Sequence, residues 1–413
     1  MRSVARQTLL LFFVDGLTNL ADYGYHVFLG RTLSPADFAA AQTINATLLV
    51  VVTACGVMQP VLARLTADER TPPSVQAGAF QAYFRGSAWV GAGLAALLWL
   101  LRERIAGWLN VPTPAVALVI VMPLLSLLRP LAAGVLQGQE RLAAFGLTRS
   151  SFAFTRLVAA GLLVGAGRGL TGAVASQPIA GLVALLIGLM LLGSEIWRPA
   201  PPPGMLAAGL RLSAAAFVAY SAFMLMQSID LVWVNRSLPP PVAAEYAAAV
   251  LLRRMAALAP GAVAVAFFPL AAASISRGQP PDRLLFQAMS AVGLAVLAVT
   301  ALFAVFGQEI VGFFFGGAYP DAAGLLGWMG LGMIGLSMTA LWMNLFLADR
   351  PWFFVGLLVV AAIAQAAALK SRAASPVDAA QIFCIAGWCA AVGGLLLYLF
   401  WLRPGLVTMR QRE

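Results

Sequence analysis

The chain has 413 residues, 61% hydrophobic and 10% charged, with a formal net charge of +10. A soluble domain carries about 25% charged residues, and no soluble core of this size hides so much apolar surface, so the bilayer is the expected solvent. The positive charge is scattered between apolar runs and forms no basic patch, which argues against a nucleic-acid partner.

About twelve apolar segments follow in chain order, each of roughly 20 residues or more and long enough to cross the hydrocarbon core. The first, residues 6–29, reads as a spanning helix and not a cleavable leader, because its apolar run continues through polar residues. It carries Asp15, Asn19, Asp22 and His26 at spacings i, i+4, i+7 and i+11, which places them on one helix face. Residues 36–63, 77–101, 114–136, 142–165 and 170–192 complete a first set. Arg85 falls in the third segment, Arg129 in the fourth, and Arg149 and Arg156 in the fifth, where Phe145 and Phe152 share their stripe. Gly161 and Gly165 form a small-xxx-small pair, which predicts close helix packing. Arg198 and the prolines behind it cannot continue a helix, so residues 196–208 read as a cytoplasmic linker.

A second set follows at 210–234, 242–272, 284–306, 321–347, 352–369 and 378–401. Asp230 is the acid of the seventh segment, and Arg253 and Arg254 lie in the eighth. Gly327, Gly330, Gly332 and Gly335 predict another close helix contact. Pro60, Pro123, Pro130, Pro178, Pro260 and Pro269 predict helix kinks. Residues 104–109 and 309–314 read as short interfacial helices at the outer surface, each preceding a spanning helix. The expected fold class is therefore all-α integral membrane, with about 12 transmembrane helices in two six-helix bundles, residues 1–195 and 209–413.

The two sets resemble each other. Phe28 to Pro35 reads against Trp233 to Pro240, and Arg104 to Trp108 against Glu309 to Phe313, both at a shift of 205. Asp37-Phe-Ala-Ala-Ala reads against Glu245-Tyr-Ala-Ala-Ala at a shift of 208. Six helices per repeat gives both halves the same orientation, and transporters place their substrate site between such repeats. With the N-terminus cytoplasmic, loop and terminal basic residues divide thirteen inside to seven outside, which favours both termini inside.

An enzyme is not expected. No loop exceeds about 20 residues, and the outer loops hold the isolated acids Glu103, Glu309 and Asp378. No P-loop, GxSxG or HExxH occurs. Cys55, Cys384 and Cys389 form no CxxC, and His26 is the single histidine, so no metal centre is expected.

Charged groups inside spans are costly and mark function. Arg85, Arg129, Arg149, Arg156, Arg253 and Arg254 suit a cationic cavity for an anionic head group, because the guanidinium fork matches phosphate oxygens and stays charged. Asp15, Asn19, Asp22 and Asp230 suit either an ion-coupling site or gate, or charge balance against the arginines; both readings stay open at this level. No cofactor is expected, and coupling to H+ or Na+ is left open.

Four segments then carry a family resemblance: Phe28-Leu-Gly-Arg-Thr-Leu-Ser-Pro-Ala-Asp-Phe-Ala, Leu136-Gln-Gly-Gln-Glu-Arg-Leu, Ile229-Asp-Leu-Val-Trp-Val-Asn, and Ala244-Glu-Tyr-Ala-Ala-Ala with the apolar run to Pro269. The chain resembles the polysaccharide (O-antigen/exopolysaccharide) flippases of the multidrug/oligosaccharidyl-lipid/polysaccharide exporter (MOP) superfamily. The resemblance implies a V-shaped transporter that opens alternately inward and outward in the bacterial inner membrane. Its substrate would be an undecaprenyl-diphosphate-linked oligosaccharide, its arginine set Arg149, Arg156, Arg253 and Arg254, and its partners membrane lipids and other polysaccharide-pathway membrane proteins. The chain departs from the pattern in being short and nearly lysine-free. A cation-coupled multidrug antiporter is the alternative, and a non-transporting subunit of a synthesis complex is a third reading.

Overall fold

The computed structural model describes residues 2–67, 71–197, 204–256, 281–348 and 351–404, together with Phe267, Ala271 and Ser274. The proline run of the expected linker and most of the expected eighth span beyond Ala256, including Pro260 and Pro269, lie outside the described residues. Among the described residues the chain is helical with no strand. It folds as two compact units, residues 1–217 and 218–413.

The first unit contains α1 (Arg2–Thr32), α2 (Pro35–Cys55), α3 (Met58–Ala67), α4 (Pro73–Leu109), α5 (Thr113–Val119), α6 (Met122–Gly138), α7 (Leu142–Leu163) and α8 (Gly169–Leu192). Helix α9 (Gly204–Met226) crosses into the second unit, which holds α10 (Ile229–Ser237), α11 (Pro240–Met255), α12 (Asp282–Phe315), α13 (Ala323–Ala348), α14 (Pro351–Arg372) and α15 (Pro376–Leu397). Helix starts follow simple chemistry. Ser34 caps α2 by accepting from the Asp37 amide, with Pro35 at the first turn. Ser375 and Asp378 form a reciprocal capping box on α15, which gives the Asp378 carboxylate a structural task.

Eight helical stretches among the described residues are long and apolar enough to cross a membrane, and the pair Ala214–Met226 and Ile229–Ser237, bent by 42°, makes a ninth. One of the eight, Leu142–Leu192, is 51 residues long, more than twice what a bilayer needs. It doubles back at Gly167 and Gly169, whose φ of +81° and +48° favour glycine, so α7 and α8 lie against each other. Helix α1, 31 residues long, is less apolar than these because of its polar stripe. Hydropathy thus gives a multi-pass membrane protein of the expected all-α class.

Three expected spans are interrupted. The 36–63 segment breaks at Gly56 and Val57, 114–136 at Ile120 and Val121, and 210–234 at Gln227 and Ser228. Pro123 therefore opens α6 and does not kink a longer helix, whereas Pro130 and Pro178 lie inside α6 and α8. Residues 104–109 are the last turns of the continuous α4, ended by left-handed Asn110. Residues 309–314 likewise continue α12 beyond a kink at Phe306. The first is thus not the separate helix expected from sequence, whereas the second is a distinct helical segment beyond its kink.

In the first unit α6 is central, with Leu131, Val135 and Leu136 buried against α3, α4 and α8. Gly134 and Gly138 let it approach α3: a methyl on Gly138 would collide with Thr66 and the Ala63 carbonyl. In the second unit α13 is central, and its glycines interlock with α15. A Cβ on Gly335 would lie 2.6 Å from the Gly387 carbonyl carbon, and one on Gly387 would lie 2.8 Å from the Gly332 carbonyl oxygen. The expected contact at Gly161 and Gly165 does not form, since nothing lies within 4 Å of either added methyl. Spacing alone cannot tell a glycine pair that faces a helix from one that faces outward. Gly335→Ala and Gly387→Ala should each cost about 1–3 kcal/mol by overpacking. Gly161→Ala should be neutral or stabilise by about 0.5–1 kcal/mol. Thermal unfolding in detergent separates the two classes, with lowered midpoints for the first pair alone.

Candidate functional site

Two centres, one in each unit, gather most of the charges of the spanning helices. In the first unit, Arg149 Nη1 lies 3.0 Å from Asp15 Oδ1, and Arg156 Nη2 pairs with Asp22 Oδ1. Both pairs join residues 134 positions apart, so α1 and α7 run parallel and their seven-residue spacings mesh as two rungs. The rungs differ in depth. Arg149 and Asp15 are half exposed, whereas the Arg156 side chain is 7% exposed against 43% for Asp22.

Aromatic rings support the cations. Arg156 sits 4.1 Å above the Tyr25 ring and 5.5 Å from that of Phe152, and Arg129 lies 4.2 Å over the same Phe152. Arg149 lies 5.7 Å from the Phe145 centroid. A ring face attracts a cation but leaves its charge in place. Among the described residues Arg129 makes no ion pair, and the buried Nε of Arg156 has no acceptor. Two arginines, Arg129 and Arg156, therefore flank Phe152 with one paired carboxylate, Asp22, a net excess of one positive charge. Such an arrangement suits a multivalent anion such as a phosphate group.

Beside this ladder lies a buried neutral network that the sequence reading missed. The Tyr25 hydroxyl donates to the Ala173 carbonyl at 3.1 Å, among Asn45, Ser176 and Gln177. Gln177 donates to Asn45, and His26 Nδ1 lies 3.1 Å from Gln42 Nε2. His26 thus turns to α2, away from the carboxylates that share its stripe. Asn19 and Arg85 are exposed, and neither joins the ladder. An apolar cavity of about 110 Å³ in this unit is lined by residues including Ile44, Leu98, Val116 and Pro123, and none of the arginines reaches it.

The second centre is closed. Asp230 is 0% exposed and Arg253 is 1%. Arg253 Nη1 donates to Asp230 Oδ2 at 2.5 Å, Nη2 to Oδ1 at 3.3 Å and to the Gln227 carbonyl at 2.7 Å. The Tyr246 hydroxyl donates to Asp230 Oδ2 at 2.7 Å, and the guanidinium lies 3.7 Å over the Phe383 ring. The break between α9 and α10 makes this possible, because it leaves helix-end carbonyls needing donors. Arg253 takes that of Gln227, and Gln365 Nε2 donates to that of Met226 at 3.0 Å. The sequence reading placed Arg253 in a substrate cavity; here its donors are engaged inside the protein, and it ties helices together. Its half-buried neighbour Arg254 lies outside this tie. Glu245, beside Tyr246, accepts from the Ala322 amide at 2.9 Å. Burial and the Glu245 charge push the Tyr319 hydroxyl, outside the spans, up to about 12.

Helices of this number, length and order make a multi-pass membrane protein whose fold is like that of MOP superfamily transporters. The family model described as polysaccharide biosynthesis protein matches residues 4–274, and the chain belongs to that family. No curated protein matches the sequence. Among solved structures, an inward-facing multidrug resistance MATE family transporter of the MOP superfamily superposes with a TM-score of 0.80 at 12% identity, over 95% of this chain and 96% of that one. The lipid II flippase MurJ, in an inward closed conformation, gives 0.75 at 12% identity over 94% and 87%. A MOP superfamily transporter from Pyrococcus furiosus gives 0.66 at 14% identity over 98% and 94%.

The two centres should respond differently to substitution. Asp230→Asn or Arg253→Ala strands a buried charge and should cost about 3–5 kcal/mol. Tyr246→Phe removes one of several donors and should cost about 1 kcal/mol. Arg149→Ala breaks a half-exposed pair and should cost at most about 1 kcal/mol. Thermal unfolding of the purified protein in detergent separates the first two variants from the other two.

Proposed function

We propose that this protein is a flippase that moves an undecaprenyl-diphosphate-linked oligosaccharide from the inner to the outer leaflet of the bacterial inner membrane by alternating access, with both termini cytoplasmic. The observation that carries this reading is the arginine excess around Phe152: Arg129 has no carboxylate partner among the described residues, and Arg156 keeps an unused buried donor. A diphosphate offers several charged oxygens to such donors and needs no metal to be held there. Arg129, Arg149 and Arg156 hold the diphosphate, while the exposed Arg85 of the same unit meets the glycan. Membership of a polysaccharide biosynthesis family supports the glycan, and the shared fold with a lipid II flippase supports the lipid carrier.

The second reading, a cation-coupled multidrug antiporter, draws on the fold likeness to MATE transporters. It needs carboxylates open to a cationic drug, yet Asp15, Asp22 and Asp230 each face an arginine. Charge complementarity therefore favours the anionic cargo.

Arg129→Ala is the cleanest test, because it strands no carboxylate. A charge-assisted hydrogen bond contributes about 1.5–3 kcal/mol, so binding of an undecaprenyl-diphosphate sugar in detergent should weaken by about tenfold or more. Saturable binding of a lipophilic cation dye without lipid binding would overturn the flippase reading in favour of the antiporter.

A further inference from the structure

The two charge centres differ in kind as well as in depth. Asp230 and Arg253 are locked: both carboxylate oxygens and both terminal nitrogens are engaged, and neither residue is reached from outside. The rungs of the α1–α7 ladder are open. Arg156 meets Asp22 through one terminal nitrogen, its Nε has no acceptor, and Asp22 is 43% exposed while Arg156 is 7% exposed. Asp22 therefore stands at the accessible side of a cation that is otherwise enclosed by Tyr25 and Phe152. Asp15 stands in the same relation to Arg149, with both side chains near half exposure.

We infer that Asp15 and Asp22 are resident stand-ins for the anion: they hold Arg149 and Arg156 while the site is empty, and a diphosphate group displaces them on binding. The inference rests on the flippase reading for the identity of that anion. Displacement is feasible because the leaving carboxylates are already half in contact with the surroundings, so neither is stranded as a buried charge. The incoming group carries more charge and more acceptor oxygens than a carboxylate, so it can take the paired terminal nitrogens and also reach Arg129, which no carboxylate holds. The stand-ins keep the arginines apart from adventitious monovalent anions, which compete poorly with a tethered carboxylate. They also set selectivity: an anion must outweigh two internal carboxylates to load. Once displaced, Asp15 and Asp22 become free for a cation, so cargo binding and cation binding fall on the same pair of residues.

The test is isothermal titration of the purified full chain in detergent with inorganic pyrophosphate and, separately, with geranylgeranyl diphosphate. Asp22→Asn keeps the shape of the side chain and removes the competing charge, and should tighten both probes about tenfold. Asp15→Asn, at the more exposed rung, should tighten them about threefold, and it serves as the second variant if Asp22→Asn does not fold. In an Arg156→Gln background Asp22→Asn should give no gain, because no cation is left for it to release. Geranylgeranyl diphosphate binding by the wild type with no gain, or a loss, in both Asp→Asn variants overturns the stand-in role and leaves the flippase reading intact. Tighter pyrophosphate binding in those variants with no lipid binding by any form upholds the stand-in role and overturns the flippase reading. Binding of neither probe by any form overturns both.

Discussion

A charge inside a bilayer has no water to answer it, so the protein must supply the partner. That constraint organises this molecule. Asp15, Asp22 and Asp230 each meet an arginine, and the helices that carry them are fixed by the meeting. Where both partners are buried, as at Asp230 and Arg253, the pair pins α10 and α11 together with Tyr246 and Phe383. Where one partner is half exposed, as at Asp22, the same chemistry holds α1 to α7 and yet remains open to exchange. Exposure, and not the identity of the residues, separates the two kinds of pair.

The same constraint applies to the backbone. A helix that breaks within a membrane leaves carbonyls that must be satisfied by side chains or by neighbouring helices. The break at Gln227 and Ser228 is closed by Arg253 and Gln365, residues far away in sequence. The buried arginine thus answers a carboxylate and a carbonyl at once, which explains why it is sealed from the surroundings. Close approach elsewhere is left to glycines that remove side-chain bulk, at Gly335 and Gly387 in one unit and at Gly134 and Gly138 in the other.

Much of this was legible in the sequence, and the remainder was hidden for identifiable reasons. Composition and apolar length gave the all-α membrane class, because hydrophobic length is a one-dimensional property. The seven-residue spacings of Asp15 with Asp22 and of Arg149 with Arg156 were visible on single helices. Their pairing was not, because it depends on the register of two helices separated by more than a hundred residues. The breaks at Gly56, Ile120 and Gln227 escaped notice because apolar residues flank them and hydropathy runs on unchanged. Arg253 looked like a ligand for cargo because its intended partners, Tyr246 and the freed Gln227 carbonyl, belong to tertiary structure. Two of the four segments that carry the family resemblance have structural tasks: Asp230, Glu245 and Tyr246 all close contacts inside the second unit.

The internal repeat sharpens this point. At the offsets that relate the halves, Tyr25 corresponds to Asp230 (205) and Asn45 to Arg253 (208). In the first unit those positions hold a neutral network around the Tyr25 hydroxyl, and in the second an ion pair over an aromatic ring. Aligned positions of the two halves thus carry buried polar groups of different chemistry. The arginine ladder is not duplicated: the same offset from Arg149 and Arg156 falls on Phe354 and Ala361. Among the described residues no such cation cluster occurs at the aligned positions of the second unit, which packs there without it. Residues that the scaffold can omit, and that cost energy to keep in a membrane, are the ones whose presence calls for a cargo.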